Sequence, residues 1–302
     1  MSMDNRMTKI GFIGLGHMGN PMARCLLKAG FTVYVYDVLP NAADALISLG
    51  AIRLSSPKDM VQTVNVMITM VQTGQQVKDI CLGLQGIFAH APEHLLYIDS
   101  SSIDIETTLL LHQEANKAGI AMLDAPVSGG VAGAEQGSLT IMVGGEEKDF
   151  QRAIPIFKAM GEKISLTGTA SHGQAAKLCN NLILGITMVG VCEAFCLAAK
   201  LGLDQKKFFD IAAHSSGQCW SITQYCPVPD IIENVPSNVG YQPGFKAKMM
   251  LKDLHLGQQA AENVNAVIPL GAIATELYEL YVSQGGGELD FSGIIQMLAG
   301  KT

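Results

Sequence analysis

From Lys9 to about Gly168, short apolar runs alternate with stretches of helical periodicity. The runs KIGFIG, TVYVYD, NVMITMV, LLYIDS, AMLDAPV, SLTIMVG and EKISLTG read as strands. Between them, segments such as NPMARCLLKAG and EKDFQRAIPIFKAMG place apolar residues on one helical face. Alternation of this kind predicts an α/β fold with a doubly wound, mainly parallel sheet. From Ser171 onward the β-rich runs fade, and LGLDQKKFFDIAAHSS, KAKMMLKDLHLGQQAAENVN and PLGAIATELYELYVSQG predict helices. The chain is therefore read as residues 1–168, an α/β domain, followed by residues 169–302, an all-α domain. Within the latter, Pro227, Pro229, Pro236 and Pro243 forbid a continuous helix. The 219–245 segment is expected to be an irregular loop, either a binding element or a surface excursion.

The 302 residues are 48% hydrophobic and carry a net charge of −7, with a pI near 5.5. That is ample for a packed core, and it disfavours nucleic acid or an anionic membrane as partner, leaving a small molecule. The opening MSMDNRMTK has neither an apolar core nor transit-peptide character, so a cytoplasmic location is expected. The charge-free run from Leu178 to Cys192 is shorter than the ~18 residues of a spanning helix, so no membrane span is expected. Seven cysteines without a CxxC pair suit a reducing compartment, and no HExxH or Cys/His cluster calls for a metal.

Candidate chemistry starts with GFIGLGHMGNPMARCLLKAG, where Gly14, Gly16 and Gly19 have G-x-G-x-x-G spacing. The glycines follow a predicted strand, open a predicted helix, and precede a second strand that ends in Asp37. Gly14 suits a tight turn, Gly16 a close approach of pyrophosphate, and Gly19 close helix–sheet packing. The helix start supplies free N–H groups and a favourable dipole for phosphate. Asp37 can accept from both ribose hydroxyls and would repel a 2′-phosphate, and no arginine follows it in VLPNAA. The expected cofactor is NAD rather than NADP.

GFIGLGHMG, DAPVSGG at 124–130, GQAAKLCNN at 173–181 and KDL at 252–254, in this order, resemble the β-hydroxyacid dehydrogenases over nearly the whole chain. The 219–245 segment looks most like that of members oxidising 3-hydroxyisobutyrate, a step of valine breakdown. The resemblance implies a Rossmann-type NAD-binding domain, a long connecting helix and an all-α C-terminal domain, assembled as a homodimer or homotetramer. It implies that Lys177 is the catalytic lysine and Asn181 the amide that accompanies it. Ser128, Gly129 and Gly130 match the substrate-binding motif, and Lys252 a lysine near the nicotinamide. Cofactor contacts are implied for Gly14, Leu15, Gly16, His17, Met18 and Gly19, for Asp37, and for Val71, Gln72, Gln76 and Ser102. Gln72 stands where proline is usual in the family, and Ser102 where threonine is usual.

Oxidation of a small 3-hydroxy acid sends a hydride to the nicotinamide and a proton to the protein. Successive N–H groups at Ser128-Gly129-Gly130, with the Ser128 hydroxyl, suit a carboxylate. Lys177 can take the hydroxyl proton if water-poor surroundings and the positive nicotinamide hold it partly neutral. Ser171 and Gln174 form an S-x-x-Q pattern, predicting a capping box with Lys177 in the second turn. Residues 173, 177, 180, 181, 184 and 188 then share one stripe, polar only near the helix start. Alternatives are reduction of another small semialdehyde (tartronate, glyoxylate or succinic semialdehyde) and a non-catalytic NAD-binding module. Asp37 disfavours an NADPH-driven reductase, and a binding module would need neither Lys177 nor Asn181.

Overall fold

The computed structural model describes residues 8–300. Its strands are β1 (Lys9–Ile13), β2 (Thr32–Tyr36), β3 (Ile52–Arg53), β4 (Val66–Thr69), β5 (Leu96–Asp99), β6 (Ala121–Asp124), β7 (Val127–Ser128), β8 (Leu139–Gly144) and β9 (Gly161–Gly168). The helices of the α/β region are α1 (Gly19–Lys28), α2 (Asp44–Ile47), α3 (Pro57–Val61), α4 (Gly74–Cys81), α5 (Ile105–Lys117), α6 (Gly130–Gln136) and α7 (Glu147–Met160). Then follow α8 (His172–Lys200), α9 (Gln205–Ala212), α10 (Trp220–Thr223), α11 (Ala247–Asn263), α12 (Pro269–Ser283) and α13 (Ile294–Leu298).

All seven expected strands form, in one sheet of order β3-β2-β1-β4-β5-β6-β8-β7, with β9 also paired to β8. Pairing is parallel except where β6 and β7 meet β8. Two details differ from the sequence reading. AMLDAPV is two strands, because Pro126 has no N–H to continue the ladder and the chain leaves β5 to pair with β8 as β7. β3 is an addition: two exposed residues are too few to leave a periodic signal.

The sheet is covered on both faces, as unbroken apolar runs with side chains pointing alternately to either side require. Ile10 and Phe12, Val66 and Ile68, and Leu96 and Ile98 enter one core, whereas Ile13, Met67 and Tyr97 enter the other. Parallel register places Ile13 beside Tyr36 and Thr69, Thr69 beside Asp99, and Asp99 beside Asp124. The loops that follow β1, β2, β4, β5 and β6 therefore leave the sheet at one edge, the carboxyl edge where open α/β sheets bind ligands.

The chain divides into two compact units that meet between Lys177 and Leu178, within α8, rather than at the end of β9. The first turns of α8 pack into the first unit, where Gly173 lies against the backbone of Asp124 and Met142. The second unit is helical, with Met188, Cys192, Phe195, Leu254, Tyr278, Tyr281 and Phe291 in its core. By length and hydropathy the 29 residues of α8 would suffice to cross a bilayer, more than the charge-free run alone suggested. Its fully buried Met188, Cys192 and Phe195 instead make it a core helix of this unit.

The proline-rich loop is packed into the same unit. Cys226, Val228, Val235, Ser237 and Tyr241 are buried. Asp290 Oδ2 accepts from the Tyr225 hydroxyl at 2.9 Å and from the Gly244 and Phe245 N–H groups at 3.0 Å. Tyr225 stacks between Trp220 and Phe291, with centroids at 4.8 and 5.3 Å. A buried carboxylate thus fastens Tyr225, near one end of the loop, to Gly244 and Phe245 at the other. Ile183 and Leu201 of the α8 region and Leu270, Ile273 and Leu280 of α12 remain exposed.

Candidate active site

The glycine loop has the geometry its spacing predicts. Gly14 has φ +91°, and a Cβ on Gly19 would overlap the Gly14 carbonyl, so neither position tolerates a side chain. A Cβ on Gly16 would meet no atom within 4 Å, leaving open space beside the loop. The start of α1 has no side-chain cap at Met18 and no acid in its first turn, so its N–H groups and dipole are available to an anion. Asp37, just past β2, accepts from the Leu15 N–H at 2.7 Å and from the Leu39 N–H at 2.8 Å. Its carboxylate is thereby fixed against the glycine loop. Leu15, Gly16 and His17 line a groove of about 550 Å³ together with Asn20, Arg24 and Lys28 of α1 and Val131 and Glu135 of α6. These features fit a nicotinamide dinucleotide, its pyrophosphate at the helix start and its adenosine ribose at Asp37.

Val71, Gln72 and Gln76 lie on the loop after β4 and the start of α4. Gln76 Oε1 accepts from the N–H groups of Gln72 and Thr73 at 2.9 and 3.2 Å, and Thr73 caps the helix in return. Gln76 therefore shapes this loop whatever else it touches. Val71 N–H donates to Ser101 Oγ at 3.0 Å, which ties the loop to the turn carrying Ser102.

Behind that turn, Asp99 Oδ1 accepts from the Ser101 N–H at 3.1 Å and from the Thr69 hydroxyl at 2.8 Å, and Oδ2 has no hydrogen-bond partner. Complete burial raises the Asp99 carboxyl to about 6, against an ordinary 3.8. Between those values the native state binds more protons than the unfolded chain. The stability tied to this group is therefore full below the ordinary value and lost as the pH rises through the folded one. In urea unfolding, the advantage of the parent over Asp99→Asn should shrink by roughly 2 kcal/mol between about pH 4 and pH 7. An advantage independent of pH would contradict this account.

Ser128 ends β7, and Gly129 and Gly130 follow with φ +135° and +63°, conformations that a side chain would strain. Four residues before Ser128 lies Asp124, fully buried, to which the sequence reading gave no task. Its Oδ1 accepts from the Ser171 N–H and its Oδ2 from the Gln174 N–H, both at 2.9 Å, and His112 Nε2 lies 2.8 Å from Oδ1. This corrects the expected capping box. Ser171 has φ +69°, which is not N-cap geometry, and the Gln174 side chain bonds to the backbone of Ser101 and Ile103 instead. The α8 N–H groups are met by an acid from β6, distant in sequence, so no local pattern could reveal it. The one available sign was an acid closing an apolar strand. Lys177, in the second turn of the helix thus held, is 8% exposed.

In the second unit, Asn181 is 1% exposed, and its Nδ2 donates to Asp253 Oδ2 at 2.5 Å. Asn180 Nδ2 donates to Asn181 Oδ1 at 3.0 Å. One N–H of the Asn181 amide is left over from these two bonds, so the group is oriented as a donor. Lys252 Nζ lies 3.2 Å from Asp253 Oδ1. Asp253, inside the KDL motif, and Asn180 are again residues without an assigned role in the sequence reading; both act on Asn181.

The sequence model described as the NAD binding domain of 6-phosphogluconate dehydrogenase matches residues 9–168, and that described as NAD-binding of NADP-dependent 3-hydroxyisobutyrate dehydrogenase matches residues 171–298. The chain is 43% identical to an NAD-dependent L-serine dehydrogenase of Pseudomonas aeruginosa, covering 98% of this chain and 99% of that one. It is 42% identical to the mitochondrial 3-hydroxyisobutyrate dehydrogenase of Homo sapiens, covering 96% and 87%. A solved structure of 3-hydroxyisobutyrate dehydrogenase from Mycobacterium tuberculosis, with L-serine, superposes with a TM-score of 0.90 at 39% identity, covering 97% and 99%. The chain belongs to the 3-hydroxyisobutyrate dehydrogenase family of β-hydroxyacid dehydrogenases and is an oxidoreductase that acts on CH–OH groups with a nicotinamide cofactor.

Proposed function

We propose that this enzyme oxidises 3-hydroxyisobutyrate to methylmalonate semialdehyde with NAD, with Lys177 as general acid/base. The observation that carries the reading is Lys177 itself, a lysine 8% exposed and one helical turn from a buried, oriented Asn181. A lysine whose only task was solubility would extend into water.

In this reading the Ser128 hydroxyl and the N–H groups of Gly129 and Gly130 hold the substrate carboxylate. Lys177 Nζ takes the hydroxyl proton, and in reduction returns it to the carbonyl oxygen. The remaining N–H of Asn181 donates to the same oxygen, since its Oδ1 is already engaged by Asn180. When bound, the nicotinamide accepts the hydride from the carbinol carbon. Asp37, held by the Leu15 and Leu39 N–H groups, supports NAD over NADP, because its carboxylate would face a 2′-phosphate. A homodimer or homotetramer would cover exposed Ile183, Leu270 and Ile273. A monomeric mass in sedimentation would remove that part of the proposal.

L-serine is the second reading, favoured by the Pseudomonas aeruginosa relative and by the mycobacterial structure, which is of the enzyme with L-serine. It differs from 3-hydroxyisobutyrate by an ammonium in place of a methyl group. Side-by-side kinetics on (S)-3-hydroxyisobutyrate, L-serine, D-glycerate and 4-hydroxybutyrate decide between them. The expected result is a kcat/KM for 3-hydroxyisobutyrate about tenfold or more above the others, and NAD preferred over NADP. A higher kcat/KM for L-serine would transfer the assignment to that substrate.

A further inference from the structure

Three residues before Lys177, the Gln174 side chain is completely buried. A buried carboxamide needs partners at both ends. Its Nε2 donates to the Ser101 carbonyl at 2.7 Å, and its Oε1 accepts from the Ile103 N–H at 3.3 Å. The carboxamide thus pairs with the backbone on both sides of Ser102, as a neighbouring strand would. Its own main-chain N–H is held by Asp124, and Ser101 Oγ in turn holds the Val71 N–H. One side chain therefore joins the start of α8 to the turn bearing Ser102 and, through it, to the loop after β4.

We propose that Gln174 is a positioning residue that sets the separation between the Ser102 turn and Lys177, so that the proton acceptor and the cofactor-binding turn move as one body. This rests on the roles given above to Lys177 and Ser102. A helix start held by its cap alone keeps freedom to tilt about that cap. Reactions between bound groups tolerate little of this, a displacement of about 1 Å costing on the order of 10²-fold in rate. The second connection, at Gln174, removes that freedom close to the reacting lysine. An apolar residue of similar size would fill the space but leave the Ser101 carbonyl and Ile103 N–H buried and unpaired.

Gln174→Met removes both hydrogen bonds at nearly constant volume, and Gln174→Glu retains the acceptor for Ile103. Both are measured in the full-length enzyme, with binding sites counted by NADH fluorescence titration so that misfolded protein is excluded. For Gln174→Met, kcat per NADH site should fall about 30-fold, with KM for the hydroxy acid within about threefold of the parent. The anisotropy of bound NADH should fall, and the deuterium isotope effect at the carbinol carbon should rise. Gln174→Glu should recover part of the loss at low pH, where the buried carboxyl is protonated and its O–H donates to the Ser101 carbonyl. Turnover per site within about twofold of the parent, with unchanged anisotropy, overturns the proposal, as does a loss carried wholly by KM. Lys177→Ala, run alongside, separates the two readings. If it stays active, the lysine assignment falls and this inference with it; if it is inactive while Gln174→Met is normal, only the positioning role falls.

Discussion

Lys177→Ala is expected to lower kcat by about 10³-fold while NADH binds as in the parent, the loss typical of removing a general acid/base. Lys177 follows a helix start held by Asp124 and Gln174, and it is buried, so its removal leaves the glycine loop and Asp37 untouched. Lys177→Arg should do little better, because a guanidinium stays protonated and cannot accept the hydroxyl proton. Steady-state kinetics beside a fluorescence titration with NADH make the distinction. Unchanged turnover with intact NADH binding would sink the lysine mechanism, and loss of NADH binding together with turnover would point to a structural role.

The second large effect is expected at Asp124, in stability rather than chemistry. Asp124→Ala leaves the Ser171 and Gln174 N–H groups and His112 without their common acceptor in a buried site. Removing one partner from a buried, charged hydrogen-bonded cluster costs roughly 3–5 kcal/mol, part of it the loss of an anion at a helix N-terminus. Asp124→Asn should be milder but still destabilising, because an amide offers one acceptor where two N–H groups converge. The local measurement is hydrogen exchange at Ser171 and Gln174, which should accelerate by about 10²-fold or more in Asp124→Ala. Protection equal to the parent's would mean that other contacts hold the start of α8.

The contrast between Ser171 and Asp124 shows where legibility ended. S-x-x-Q is a local pattern and predicted a self-contained cap. In the folded chain Ser171 takes a left-handed conformation, and the acceptor comes from β6 across the sheet. Asp253 is similar: it stood inside a quoted motif, yet its bond to Asn181 depends on how α11 lies against α8, whereas Asn180 bonds Asn181 as its neighbour on the same helix. That 219–245 holds no continuous helix was legible from its prolines, and only the short α10 forms before the first of them. That the loop is packed around the buried Asp290 depends on a residue 45 positions beyond Phe245.

By itself the sequence determined what is periodic or contiguous. Short apolar runs marked β1, β4 and β5 as buried strands, and the spacing of Gly14, Gly16 and Gly19 before a strand ending in Asp37 specified a dinucleotide loop. These follow from backbone geometry over a few residues, which any folded context must respect. Tertiary structure decided which acid caps α8, which acid on α11 holds the Asn181 amide, and what Gln174 joins. Those choices are made by polar groups that must find partners once burial removes water, and the partners come from whichever strand or helix the fold brings within hydrogen-bonding distance.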